Sequence, residues 1–165
     1  MKPFIVTLLV VAFGATLSAE PKEIMEEKEE SAPSVTLGYV ILYVDDVASS
    51  LEFYEKAFGL SRRFFSDEDG LAYGELETGA ARLAFASKKL AKQNLKQDVT
   101  GTSLSEAPLS FEVALLTTDV PSLYQRALGE GAVSVMEPTQ KPWGQTVAYV
   151  RDKDGHLVEI CTPLP

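Results

Sequence analysis

Three observations predict an α+β fold made of two strand-helix-strand-strand-strand units. An apolar strand ending in Asp-Val occurs twice, a short amphipathic helix follows each copy, and strands separated by Gly-containing turns complete each unit. Tyr39-Val-Ile-Leu-Tyr-Val-Asp-Asp-Val47 runs into Ser50-Leu-Glu-Phe-Tyr-Glu-Lys-Ala-Phe-Gly59. Glu112-Val-Ala-Leu-Leu-Thr-Thr-Asp-Val120 runs into Ser122-Leu-Tyr-Gln-Arg-Ala-Leu-Gly129. A repeat of this length marks two similar units that bury their faces against each other. The expected result is a curved, partly open sheet around a cleft, since the joint between two units is a natural ligand site.

The first unit (35–87) opens with a strand in which Val40, Leu42 and Val44 alternate with Tyr39, Ile41 and Tyr43, so both faces are covered. Residues 47–58 read as a helix with Leu51, Tyr54 and Phe58 on one face and Gly59 as its stop. Strands are expected at 62–66 and 72–77, around the Asp67-Glu-Asp-Gly70 turn, and at 82–87. The link (88–108) starts with a basic helical piece and ends in a flexible stretch rich in Thr, Ser and Gly. The second unit (109–165) repeats the order: a strand at 111–117, a helix at 120–128 with Pro121 in its first turn, and strands at 132–137, 145–151 and 156–162.

Ahead of this domain, Lys2 precedes the apolar run from Phe4 to Phe13 and the small residues up to Ser18 and Ala19. That order predicts a signal peptide at 1–19 and an exported, periplasmic or secreted protein without stable membrane insertion after processing. Residues 20–34 are rich in Glu and Pro and read as an acidic, solvated tether. The formal net charge is −9 and no basic stripe exists, which argues against nucleic acid or anionic lipid as partner. Cys161 is the only cysteine, so no internal disulfide can form. It reads as a small apolar residue beside a strand, with no local cation to make it a thiolate.

Alternation also nominates site residues. If Glu159 faces the cleft, Leu157 and Cys161 share its side while Val158 and Ile160 pack beneath the helices. Glu112, Ala114 and Leu116 form one face of their strand. Glu112 is then either a rim residue pairing with an arginine such as Arg82, or a cleft acid. An ionised Glu159 between Val158 and Ile160 is costly unless it reaches a cleft or a partner. Tyr39, Tyr43, Phe85, Trp143 and Tyr149 are the candidate aromatic lining. Trp143 sits in a loop before a strand, and Gln145 can orient a ligand by hydrogen bonding. Arg62, Arg63 and Arg151 read as surface charges. His156, in the turn after Asp154-Gly155, reads as exposed and idle.

The segments from Tyr39 to Leu60 and from Trp143 to Ile160 resemble the glyoxalase / bleomycin-resistance / extradiol-dioxygenase superfamily, also called vicinal oxygen chelate. The resemblance covers about residues 35–163 in order and spacing. In metal-using members it implies four ligands, which fall here on Tyr39, Phe85, Glu112 and Glu159. Phe85 cannot ligate, Tyr39 could do so only as a phenolate, and the sole histidine lies elsewhere. Imidazole-bound first-row metals are therefore disfavoured, and Glu112 with Glu159 is the residual metal candidate. The expected function is metal-independent binding of a small organic molecule in an aromatic cleft with acidic residues, with no cofactor. The alternatives are a lyase or dioxygenase of the same superfamily, and a structural or interaction domain with a vestigial cleft. Members of this superfamily often form dimers, so a homodimer is also expected.

Overall fold

The repeated Asp-Val is a helix start. Asp46 accepts the backbone N–H of Ser49 at 3.0 Å, and Asp119 accepts that of Ser122 at 3.1 Å. Each caps a helix whose first residue, Val47 or Val120, is buried. The computed structural model describes residues 35–165; the expected signal peptide and tether lie outside the described residues. The described chain runs β1 (Tyr39–Val44), α1 (Val47–Phe58), β2 (Ser61–Glu68), β3 (Leu71–Glu77), β4 (Arg82–Ser87), α2 (Lys88–Leu95), β5 (Glu112–Leu116), α3 (Val120–Gly129), β6 (Val133–Gln140), β7 (Thr146–Arg151) and β8 (Leu157–Cys161). No helix among the described residues is long and apolar enough to cross a membrane.

The strands form two four-stranded sheets of identical topology, β1-β4-β3-β2 and β5-β8-β7-β6, neither of them closed. In each, the first strand pairs parallel to the last and the remaining pairs are antiparallel. This is the α+β architecture of two repeated units. Two strands run past the expected bounds. β2 continues to Glu68 because Asp69 and Gly70 both take positive φ (54° and 81°), the tight turn that keeps twisted hairpin strands paired. β6 continues through Pro138 because it is an edge strand, where a missing N–H costs little, and its register shifts between Met136 and Thr139.

One apolar core spans both units. Leu51, Tyr54 and Phe58 of α1 join Leu42, Val44, Leu76 and Phe85 of the first sheet. Tyr124 and Ala127 of α3 join Val150, Val158 and Ile160 of the second. The two helices meet where Arg126 donates from Nε to the Ala57 carbonyl at 2.8 Å. That carbonyl lies in the last turn of α1, where it has no partner within the helix. Gly59 ends α1 at φ 71°, and a Cβ there would sit 3.0 Å from the Arg126 guanidinium. The stop thus serves both the backbone and the approach of α3.

A buried polar network ties the units together on another side. Asp152 is fully buried and accepts hydrogen bonds from Tyr54 Oη (3.0 Å), His156 Nδ1 (2.9 Å), and the backbone N–H groups of His156 (2.7 Å) and Asp154 (3.0 Å). Ser50 of α1 donates to Asp154 at 2.5 Å. His156 is therefore buried and engaged, contrary to the expectation of an idle turn residue. Arg151 is likewise not a surface charge. It is buried and donates to the carbonyls of Gly155, Glu106 and Ser103, pinning the link to the second unit.

Removing the Asp152 carboxylate would strand four donors in the interior. Asp152→Ala is expected to lower stability by about 3–5 kcal/mol, the range for breaking a buried charged network. Tyr54→Phe, which removes one donor and leaves the carboxylate served by the others, should cost about 1 kcal/mol. Breaking the exposed Arg62–Glu55 pair with Arg62→Ala should cost less than about 1 kcal/mol. Urea denaturation of the three variants checks the ranking; equal midpoints would remove the network from its place in the fold.

Candidate functional site

Register decides which side chains meet. In the second sheet, Glu112 pairs with Leu157, Ala114 with Glu159, and Tyr149 with Glu159. With Val158, Ile160 and Val150 committed to the core, these pairings put Glu112, Glu159, Tyr149 and Cys161 together on the open face. Glu159 and Glu112 stand on neighbouring strands, one pleat apart. Tyr149 Oη donates to Glu159 Oε2 at 2.5 Å. That hydrogen bond, with burial and the charges of Glu159 and Glu112 behind it, pushes the phenol far above its ordinary range. It stays a donor at any ordinary pH. Burial first, then the Glu159 carboxylate, pushes the Cys161 thiol up to about 12. The cysteine is buried, and its thiol is held in the protonated form.

In the first sheet, Tyr39 pairs with Arg82, Ile41 with Ala84 and Tyr43 with Ala86, all on the open face. The Arg82 guanidinium lies over the Tyr39 ring, 5.6 Å from its centre. Phe85 requires correction. It pairs with core residue Leu42, is fully buried, and packs on Tyr54 with ring centres 5.0 Å apart. The open-face positions of β4 are Arg82, Ala84 and Ala86, so that face of the strand offers no metal donor. Trp143 and Gln145 engage each other at the strand-end rim: Trp143 Nε1 donates to Gln145 Oε1 at 2.8 Å, and Gln145 Nε2 donates to the Thr162 carbonyl at 2.6 Å. They brace the loop to the end of β8.

Sequence reasoning missed a second polar cluster on the first sheet. Glu75 accepts from Tyr73 Oη at 3.0 Å and lies 3.5 Å from both Arg63 and Arg82; Arg63 also reaches Glu77 at 3.1 Å. Burial and the Glu75 carboxylate push the Tyr73 phenol up to about 12. The available signal was period-two spacing of Tyr73, Glu75 and Glu77 opposite Arg82. Arg82 therefore pairs with Glu75, and among the described residues Glu112 forms no ion pair. Both nevertheless line one groove of about 240 Å³, walled by Val40, Leu83, Val113 and Leu115, between the edge strands β1 and β5.

The donor set does not fit a transition-metal centre. The open-face positions hold a phenol stacked under an arginine, alanine methyls and two carboxylates, one of them taken by Tyr149. Asp152, Asp154 and His156 do lie within 4.8 Å of one another. Their carboxylate oxygens are consumed by Tyr54, Ser50, Lys153, His156 and backbone donors.

The raised thiol gives a test with a definite sign. Its folded value of about 12 lies above the ordinary 9.0, so its contribution to stability is whole below pH 9 and vanishes as pH rises through about 12. Native protein at pH 8.5 should resist iodoacetamide while urea-unfolded protein reacts fully. The fall of the urea midpoint between pH 9 and 12 should be shallower in Cys161→Ala. Rapid native alkylation would contradict the burial.

Comparison with known proteins agrees with this geometry. The profile of the Glyoxalase/Bleomycin resistance protein/Dioxygenase superfamily matches residues 36–160. An uncharacterised protein of Mycobacterium tuberculosis (strain ATCC 25618 / H37Rv) is 32% identical over 134 residues, covering 74% of this chain and 72% of that one. An uncharacterised protein of Bacillus subtilis (strain 168) is 28% identical over 123 residues, covering 72% and 91%. Among solved structures, a glyoxalase-related enzyme from Fulvimarina pelagi superposes with a TM-score of 0.66 at 24% identity, covering 77% of this chain and 87% of that one. That likeness is one of fold. With the profile spanning both units and the paired sheets in place, this chain belongs to the glyoxalase/bleomycin resistance protein/dioxygenase superfamily.

Proposed function

We propose that this domain is a metal-independent small-molecule-binding protein whose ligand is a cationic organic molecule with an apolar body. The observation that carries this reading is the groove between β1 and β5. Its walls are aliphatic, Phe111 lies on its lining, and Glu112 supplies a carboxylate with no cation paired to it among the described residues. Glu159 stands one pleat further along the same face and adds negative potential. Apolar walls with a few placed polar groups are the usual make-up of a small-molecule site. An aromatic rim suits a cation further through its ring face. The superfamily assignment agrees with a binding role and equally accommodates enzymes, so the reading rests on the site's side chains.

Calorimetric titration with flat cationic and neutral compounds of matched size tests it. The cation should bind more tightly, and Glu112→Gln should weaken it by about three- to tenfold, the effect of one partly solvated charge. The loss should shrink as salt is raised. Adding Zn²⁺, Ni²⁺ or Fe²⁺ should leave the melting temperature in place, whereas a specific metal at a hundred times its Kd would add about 2.7 kcal/mol. Equal affinity for both charge types, or a saturable metal effect lost in Glu112→Gln and Glu159→Gln, would overturn the proposal.

We further propose export, on the order of the basic, apolar and small residues in the first 19 positions. N-terminal sequencing of the secreted protein should begin at or near Glu20; recovery of Met1 would point to an uncleaved anchor.

A further inference from the structure

The Asp152–His156 pair does more than join the units, because it leaves one histidine nitrogen free. Asp152 Oδ2 lies 2.9 Å from His156 Nδ1 and also accepts from Tyr54 Oη. Burial, with the charge of Asp152 behind it, holds the Tyr54 phenol well above its ordinary range, so its proton stays on that oxygen. A carboxylate can only accept, so Nδ1 must be the donor nitrogen, and in the neutral ring Nε2 then carries the lone pair. Nε2 has no hydrogen-bond partner among the described residues. Every sealed side-chain nitrogen and oxygen among those residues does have a partner, so Nε2 must open onto space. The residue as a whole is only 8% exposed.

A groove of about 280 Å³ has His156 in its lining together with Ile41, Tyr43, Thr102, Leu109 and Phe111. It runs along β1, the outermost strand of its sheet, under the stretch of link that Arg151 and Thr102 tie down. Its walls are apolar and aromatic, and Thr102 Oγ1 is already committed to the Asp154 carbonyl at 2.7 Å. An accessible acceptor held in one orientation by a largely buried residue, beside an apolar groove, is an arrangement that recognises a single hydrogen-bond donor on an otherwise apolar molecule.

We infer that His156 anchors a second ligand groove, distinct from the Glu112 groove, that takes a small neutral molecule carrying one hydroxyl donor, of the phenol or aryl-alcohol class. The hydroxyl donates to Nε2 and the ring lies against Tyr43 and Phe111. The acids of the other groove play no part.

The chain contains one histidine, so the imidazole region of a ¹⁵N-histidine NMR spectrum reports this site alone. With the ring neutral, the spectrum should show Nδ1 protonated and Nε2 bare. p-Cresol should shift the Nε2 resonance saturably and bind about three- to tenfold more tightly than toluene, which has the same shape and no donor. His156→Asn keeps an N–H where Nδ1 stood and removes Nε2; it should stay folded and bind the two probes equally. Glu112→Gln should leave p-cresol binding unchanged, which separates this groove from the cation site. A proton on Nε2, an unmoved resonance in saturating p-cresol, or equal binding of p-cresol and toluene to the unmutated protein would overturn the inference without relying on any variant.

Discussion

The carboxylate of Asp152 is the point on which both units hang. Isolated, a buried charge of this kind would cost several kcal/mol. Here Tyr54, His156 and two backbone N–H groups converge on it, and no sealed side-chain nitrogen or oxygen among the described residues is left without a partner. Three of those donors come from the turn itself and one from α1, 98 positions earlier in the chain. The turn between β7 and β8 is thereby fastened to the first unit. That in turn sets the phase of β8: Val158 and Ile160 face the core, and Glu159 faces out beside Tyr149. A one-residue slip would bury Glu159 and expose both aliphatics. The position of the candidate acid follows from the network behind it.

The joint is made differently on its two sides. Between α1 and α3 it is apolar, finished by Arg126 on the last turn of α1. Near the β7–β8 turn it is polar, with Ser50, Tyr54, Asp152 and Asp154 bonded in series. Apolar contact is indifferent to small sliding, whereas directed hydrogen bonds are not. The core therefore holds the units together and the polar side fixes their register. The grooves flanking β1 inherit that fixed geometry, since Val40 and Phe111 contribute to both.

What the sequence disclosed and what it hid divide along locality. Asp46 and Asp119 cap their own helices, so the repeat was legible from neighbouring residues. The outward phase of Glu159 was legible too, because Val158 and Ile160 flank it with clear period-two contrast. Phe85 was misplaced because Leu83, Ala84, Phe85 and Ala86 are all apolar, and a strand buried on both faces carries no sign of which face is which. His156 and Arg151 looked solvated because turns usually are. Their burial depends on Tyr54 and on link carbonyls 45 and 48 positions away, contacts that no local pattern encodes. Trp143 stands out from its loop context alone; its indole N–H goes to Gln145, a local contact two positions on, and its ring stays exposed.

The two open faces, built on one topology, carry different electrostatic characters, one compensated and one acidic. On the first sheet Arg63 and Arg82 balance Glu75 and Glu77 in one network. On the second, Glu112 and Glu159 share a face with Tyr149 and Cys161, both held neutral up to strongly alkaline pH. The groove between β1 and β5 lies across this divide, with Arg82 contributed by one side and Glu112 by the other. For the cationic ligand proposed above, Glu112 would attract and Arg82 repel, so charge would set its orientation as well as its affinity. The walls between them, Val40, Leu83, Val113 and Leu115, are apolar, and low-polarity walls strengthen the interaction between charges placed beside them. Direction in this site comes from the divergence of the two repeats, and a symmetric pair of units could not supply it.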